Sequence, residues 1–194
     1  MEALGHFIFM ILKIGILASI YSWILIMIIT VISYFRKGNS LHKVVHNKKS
    51  NWFIFGFIIS VLLFIYSFTY WGNHGLGDGP RIPIGYWNTI ENTNWEFSDL
   101  KGYQNKDGHQ ISISRFITRD EFFCGEFDQN HFFYDYENDF FVLNMKSDQI
   151  IEFSNKEEYN EYALSNNLPK SSSLMTFDQN YRNYFGGWRF WLLP

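Results

Sequence analysis

Cys124 is the strongest nucleophile in the chain and its one cysteine. A catalytic cysteine needs a base that removes its proton, and His109 and His131 are the candidate bases. The surrounding run FFCGEF is more typical of a buried strand, where a thiol is inert. We therefore favour a structural role for Cys124. A single cysteine also excludes an intramolecular disulfide.

Side chains that could bind a metal occur in two sets. The first set is His74, Asp78, His109 and His131. No two of these have the short spacing that makes zinc motifs specific. The second set is Asp135, Glu137 and Asp139. These alternate with aromatic residues, which could indicate calcium ligands but is the ordinary pattern of a solvent-facing hairpin, and we favour the hairpin. The sequence predicts no catalytic, cofactor-binding or metal site, and a protein that is not an enzyme.

Two apolar runs dominate the first third of the chain. Residues 14–35 and 53–71 comprise 22 and 19 residues without a charge. About 20 apolar residues in a helix cross the ~30 Å hydrocarbon layer of a bilayer. A helix of a soluble protein usually keeps a polar face, and neither run has one. We therefore predict a hairpin of two transmembrane helices.

The segment that connects the two runs, residues 36–52, carries only basic charges. Its cations are Arg36, Lys37, Lys43, Lys48 and Lys49. Short loops rich in Lys and Arg stay in the cytoplasm. The predicted topology therefore has this loop inside and both termini outside, together with everything after residue 71. Contact of the loop with anionic lipid headgroups is a second interpretation.

Residues 1–13 are mostly apolar before Lys13 and precede the first run. They are predicted to lie along the outer interface or to extend the first helix as a long, tilted rod. A signal peptide would have a basic start and an apolar stretch of only about 7–15 residues. Because the apolar run is longer than that, we predict a helix that is retained.

Small and hydroxyl side chains are predicted to form the contact between the two helices, because lipid gives apolar helices no hydrophobic reason to associate. They are Gly15, Ser19, Ser22 and Thr30 in the first run, and Gly56, Ser60 and Ser67 in the second. In an antiparallel hairpin counted from the loop, Thr30 and Gly56 lie at the same depth. Neither run contains Asp, Glu, Arg or His, which argues against an ion or proton path.

Charge divides the chain into two parts. Residues 1–71 carry six basic residues and one acidic residue, a balance of +5, whereas residues 72–194 carry ten basic and eighteen acidic residues, a balance of −8. Nucleic-acid binding needs clusters of Lys and Arg, so the acidic part argues against that class of function. The partners we expect are the lipid bilayer and either another protein or a second copy of this chain. A basic protein would suit the acidic part.

Residues 72–80, GNHGLGDGP, are predicted to be a connector, since their glycines lack the Lys and Ser or Thr of a phosphate-binding loop. Residues 81–194 are predicted to form one soluble α+β domain, with an antiparallel sheet of about five to six short strands followed by two helices. The predicted strands are residues 81–90, 111–118, 121–127, 131–136, 140–145 and 149–153. Pro83 makes the first of them an edge strand.

The two predicted helices follow the strands. SNKE puts Ser154 at the N-cap of the first, with Glu157 completing a capping box, and the second covers residues 174–185. Residues 188–194, WRFWLLP, are too aromatic for a loose tail. They are predicted to dock on the domain, which we favour, or to return to the membrane interface. The tetrapeptide FDQN occurs at 127–130 and 177–180 in unmatched surroundings, which indicates chance.

The stretch GLGDGPRIPIG after the second run, together with NYFGGWRFWLLP at the end, resembles small bacterial two-span membrane proteins with a C-terminal soluble domain. This resemblance implies the layout and carries no known activity. We expect a non-enzymatic protein-interaction module at the bacterial inner membrane, which acts in envelope assembly or in neutralising an incoming toxin. The alternative is a ligand-sensing effector whose domain controls how the hairpins assemble.

Overall fold

The computed structural model describes residues 2–35, 45–72, 79–93, 97–105, 108, 110–130 and 136–194. The chain divides into two compact units. The first unit comprises Met1–Gly77 together with Trp188–Pro194, and the second unit comprises Asp78–Gly187. The second unit thus ends seven residues before the predicted end of the soluble domain.

Two long helices make up most of the first unit. Helix α1 spans Glu2–Phe35 and helix α2 spans Lys48–Ser67. Residues 2–13 continue α1 without a break, so that its 34 residues measure about 51 Å at ~1.5 Å per residue. Of the five basic residues predicted to set the topology, Lys48 and Lys49 are exposed at the start of α2. Arg36, Lys37 and Lys43 lie outside the described residues.

Both helices are long and apolar enough to cross a membrane. Only 28% of the most apolar window in α1, and 6% of that in α2, is buried within the chain. The core helix of a soluble protein would be mostly buried. The uncovered apolar surface of α1 and α2 therefore suits a bilayer better than a protein interior.

Small residues lie where α1 and α2 meet. A Cβ atom added to Gly56 would lie 3.4 Å from Ser22 Oγ, and Trp52 Nε1 donates a hydrogen bond to the Ser19 carbonyl at 3.2 Å. The prediction that Gly56 and Thr30 lie at the same depth is wrong, since Gly56 lies beside Ser22, which is eight residues, about 12 Å, further back along α1. The prediction assumed that both helices start at equal distance from a common loop, and the contacts of Gly56 and Trp52 show that they do not.

The other predicted packing residues of α1 and α2 satisfy their own polar groups or line a shallow cleft. Three hydroxyls donate to carbonyls of their own helix: Thr30 to Ile26, Ser60 to Phe57 and Ser67 to Leu63. The interhelical cleft has a volume of about 270 Å³ and includes Gly15, Ser19, Gly56 and Ser60 in its lining.

The second unit is built on one antiparallel sheet, which confirms the predicted α+β class. Its strands are β1 (Arg81–Gly85), β2 (Asn88–Thr93), β3 (Phe97–Gln104), β4 (Gln110–Arg119), β5 (Phe122–Phe127), β6 (Phe140–Asn144), β7 (Gln149–Phe153) and β8 (Met175–Thr176). Strands β1 to β7 lie side by side in chain order, and β8 pairs with β4. The edge position of β1, which contains Pro83, is as predicted.

The sheet has eight strands rather than the predicted five to six. The predicted strand 81–90 is two strands, because Tyr86 and Trp87 adopt φ angles of 50° and 63° and close a tight turn. Strand β3 was missed because its pattern is interrupted at Gly102, φ 90°, where the register with β4 shifts. The predicted strand 131–136 lies outside the described residues, apart from Tyr136, which is not in a strand.

The helices of the second unit cover both faces of the sheet. Helix α3 spans Lys156–Ser165, a 3-10 turn spans Ser171–Ser173, and helix α4 spans Phe177–Phe185. Val142 packs in one cluster with Tyr159 of α3, and its neighbour Phe141 packs in another with Phe177 of α4. Because successive strand residues point to opposite faces, the first four residues of β6 are all apolar and buried.

Both helices begin later than predicted. The N-cap of α3 is Asn155, whose side chain accepts from the Glu158 N–H at 3.0 Å, one residue after the predicted Ser154. Helix α4 begins at Phe177 rather than at residue 174, because residues 175–176 pair with β4 as β8. A capping box at Thr176 then starts the helix.

Candidate functional site

The Cys124 thiol lies inside the second unit, on β5. Its side chain is fully buried beside Tyr159, and burial raises the pKa of the thiol to about 11. The thiol is therefore protonated at neutral pH, whereas the thiolate is the nucleophilic form. The candidate bases His109 and His131 lie outside the described residues. The described surroundings of Cys124 are those of an inert core residue.

The side chains that were considered as metal ligands do not form a cluster in the described part of the chain. Five of them lie outside that part: His74, Asp78, His109, His131 and Asp135. Of the other two, Asp139 Oδ1 accepts a hydrogen bond from Gln129 Nε2 at 3.2 Å, and Glu137 is exposed. No group of three His, Cys, Asp or Glu residues that could hold a metal ion occurs among the described residues.

The second unit contains a polar cleft of about 320 Å³, which we call the acidic cleft. It is lined by Asn92, Ser98, Ile113, Ser114, Asp128, Thr176, Phe177 and Asp178. These residues come from β2, β3, β4, the turn after β5, β8 and the start of α4. No short window of the sequence contains them, which is why motif analysis missed the site.

Backbone pairing places the two acidic side chains at the cleft. The Asp128 N–H donates to the Ser112 carbonyl of β4 at 3.0 Å, and its carboxylate accepts from the Asn130 N–H at 3.1 Å. Asp178 is the second residue of α4, and the antiparallel pairing of Thr176 with Arg115 brings the start of that helix to β4. Strand β4 thus lies next to both segments.

Asn92 adds a buried amide to the lining. The residue is only 3% exposed, and its Nδ2 donates to Ser98 Oγ at 2.9 Å. Its Oδ1 is buried and has no hydrogen-bond partner within the described structure. A buried polar atom without a partner costs about 1–3 kcal/mol. Such an atom in the wall of a cleft favours a ligand that donates a hydrogen bond to it.

The acidic cleft presents acceptors and negative charge. None of its eight lining residues is basic. Two N–H donors at the start of α4 are engaged within the capping box, since the Gln179 N–H donates to Thr176 Oγ1 and the Thr176 N–H donates to Gln179 Oε1. Arg182 Nε lies 3.0 Å from Asp178 Oδ1, but the two side chains are 78% and 49% exposed, so solvent screens this pair. The cleft therefore suits a cation rather than an anion.

The two copies of FDQN both contribute to the acidic cleft. Phe127 and Phe177 are buried in the same hydrophobic cluster, so that Asp128 and Asp178, which follow them, both reach the cleft lining. The first copy lies at the end of a strand and the second at the start of a helix. This rules out a structural repeat. The recurrence of Phe-Asp was nevertheless the one sequence signal that pointed to the site.

No protein-family model, no curated protein and no solved structure matches this chain. The fold and the site therefore define its class by themselves: two helices long and apolar enough to cross a membrane, joined to an α+β unit that carries an acidic cleft.

Proposed function

We propose that this protein is a membrane-anchored, non-enzymatic interaction module of the bacterial inner membrane, and that its acidic cleft receives a cationic side chain of a protein partner. One observation carries the proposal. Asp128, Asp178 and Asn92, whose buried Oδ1 has no partner among the described residues, line a cleft that has no basic lining residue. Envelope assembly or the neutralisation of an incoming toxin is the kind of process that such a module would serve.

The chemistry of a Lys or Arg side chain fits the acidic cleft. An ammonium group has three N–H donors and a guanidinium group five, and neither accepts a hydrogen bond. The carboxylates of Asp128 and Asp178 and the amide oxygen of Asn92 could accept them. Ile113 and Phe177 supply the apolar part of the lining, which suits the alkyl stem of such a side chain. The excess of acidic residues after residue 71 would attract a basic partner over distance.

The membrane part of the proposal rests on α1 and α2. Their uncovered apolar surfaces need lipid, and the basic segment between them favours a cytoplasmic loop. The second unit would then lie on the side of the membrane opposite the cytoplasm. Envelope proteins and incoming toxins are met on that side.

A photo-cross-linking amino acid at Asn130 tests the proposal in living cells. Asn130 is exposed and its N–H contacts Asp128, so a partner in the cleft would lie within reach. We expect one discrete protein adduct on illumination. The matched control carries the same amino acid at Glu161, an exposed residue of α3 outside the cleft lining, and should give no such adduct. The same adduct from both positions, or none from position 130, would contradict the proposal.

The size of the acidic cleft supports a second candidate function, the sensing of a small ligand. The cleft volume of about 320 Å³ falls within the range of about 300–1,000 Å³ that is usual for small-molecule pockets. A sensor would bind a small amine without a protein adduct at position 130. A melting temperature that rises with such an amine, and an absent adduct, would favour this function over partner binding.

A further inference from the structure

Residues 188–194, the aromatic segment, belong to the first unit although they follow the second unit in sequence. Trp188–Leu192 form a short helix, α5. Gly187, with a φ angle of 59°, lies in the turn that separates α5 from α4. The sequence favoured docking on the α+β domain over a return to the membrane interface. The segment instead contacts α1 of the first unit.

Two contacts join the aromatic segment to α1. The Lys13 ammonium lies 4.6 Å from the centre of the Phe190 ring, a cation–π distance. The Tyr21 hydroxyl donates a hydrogen bond to the Leu192 carbonyl at 2.5 Å. That carbonyl is at the end of α5, where helix carbonyls lack partners within the helix. The contact therefore satisfies two polar groups that lipid could not satisfy.

Most of the aromatic segment remains uncovered. Trp188, Phe190, Trp191 and Leu192 are 63%, 46%, 73% and 48% exposed, and no residue of α5 is buried. On α1, between and beside the contact residues, Ile16 and Ile20 are also exposed. The uncovered surface of the segment thus continues the uncovered apolar surface of a helix that is long and apolar enough to span a bilayer.

The depth of the contacts matches the boundary of a bilayer. About 20 residues of α1 counted back from Phe35 cross the ~30 Å hydrocarbon layer, which puts Lys13 near its edge and Tyr21 about 9 Å inside. Trp at this boundary, and cations that reach the headgroups, are typical of membrane interfaces. We infer that the aromatic segment is a third membrane contact, and that its exposed rings insert into the lipid layer beside α1.

A fluorescent probe at residue 191 tests this inference. In a Cys124→Ser background, Trp191→Cys would be labelled with an environment-sensitive nitrobenzoxadiazole dye in the full chain. The protein would be reconstituted into phosphatidylethanolamine–phosphatidylglycerol vesicles. We expect quenching by nitroxides placed on the lipid near the headgroups, and at least about fivefold less quenching by aqueous iodide than for the same dye at Ser172. Ser172 is exposed in the second unit and serves as the matched position.

The outcomes separate lipid from the other surroundings that the segment could have. Equal iodide quenching at positions 191 and 172 would mean a solvent tail, and protection from both quenchers would mean burial in protein; either result overturns the inference. Tyr21→Phe gives a second test. Loss of the hydrogen bond to Leu192 should raise iodide quenching at position 191 about twofold. Tyr34→Phe, at an exposed position near the other end of α1, should not change it.

Discussion

Neutralising Asp128 and Asp178 together is expected to weaken binding of the partner that is captured at Asn130 by about 100-fold or more, because hydrogen bonds to charged groups contribute about 1.5–3 kcal/mol each. The variant is Asp128→Asn with Asp178→Asn. An asparagine oxygen can still accept the Asn130 N–H, so the local turn should remain. The dissociation constant, measured by titration calorimetry on the detergent-solubilised full chain, would report the loss.

A matched pair of neutralisations outside the cleft provides the control. Asp120→Asn with Glu161→Gln also removes two negative charges, but from exposed positions that do not line the cleft. This control should change the dissociation constant less than about threefold, through long-range attraction alone. Equal losses in the two double variants would mean that net charge, rather than the acidic cleft, recruits the partner.

Replacing Phe141 by alanine is expected to lower the free energy of unfolding of the second unit by about 3–5 kcal/mol. The Phe141 ring is fully buried and packs against Phe123 and Phe127, with ring centroids 5.7 Å and 4.6 Å apart. It also lies over Gly125, its cross-strand partner, where an added Cβ would come 2.5 Å from the ring. Urea denaturation of the full chain in detergent, followed by near-ultraviolet circular dichroism, would measure the change.

Leu164→Ala controls for loss of an apolar side chain as such. Leu164 lies on α3 and is 72% exposed, so its removal should cost less than about 0.5 kcal/mol. If Phe141→Ala lowered the free energy of unfolding by less than about 1 kcal/mol, the buried position of the Phe141 ring would be contradicted.

Elements in which apolar residues recur regularly could be predicted from the sequence. Strands without such a regular pattern could not. Ile111 and its neighbours predicted β4 within one residue at each end, and the apolar runs predicted the two long helices. The first hairpin was missed because Tyr86 and Trp87 adopt positive φ without Gly, Asn or Asp, the residues that normally signal such turns. Both side chains are exposed, by 50% and 75%, so burial of these two residues does not explain the turn either.

The acidic cleft could not be predicted, because its residues meet only after the sheet has formed. Asn92 and Ser98 face each other across the β2–β3 pairing, and β3 was not recognised as a strand. Asp178 reaches the cleft through β8, which is only two residues long and has no periodicity to detect. The residue types that stood out in the sequence were instead Cys124 and the histidines. Burial of that thiol, which depends on α3 covering β5, is a tertiary effect.

The side of the membrane on which the second unit lies is the most direct test of the account. Ser172→Cys in a Cys124→Ser background would be labelled with a membrane-impermeant maleimide in intact cells, with the outer membrane permeabilised where there is one. The matched reporter, His46→Cys between α1 and α2, should react only after lysis. The account predicts labelling of position 172 in intact cells. Labelling of position 172 only after lysis would put the second unit in the cytoplasm and contradict a partner met outside it.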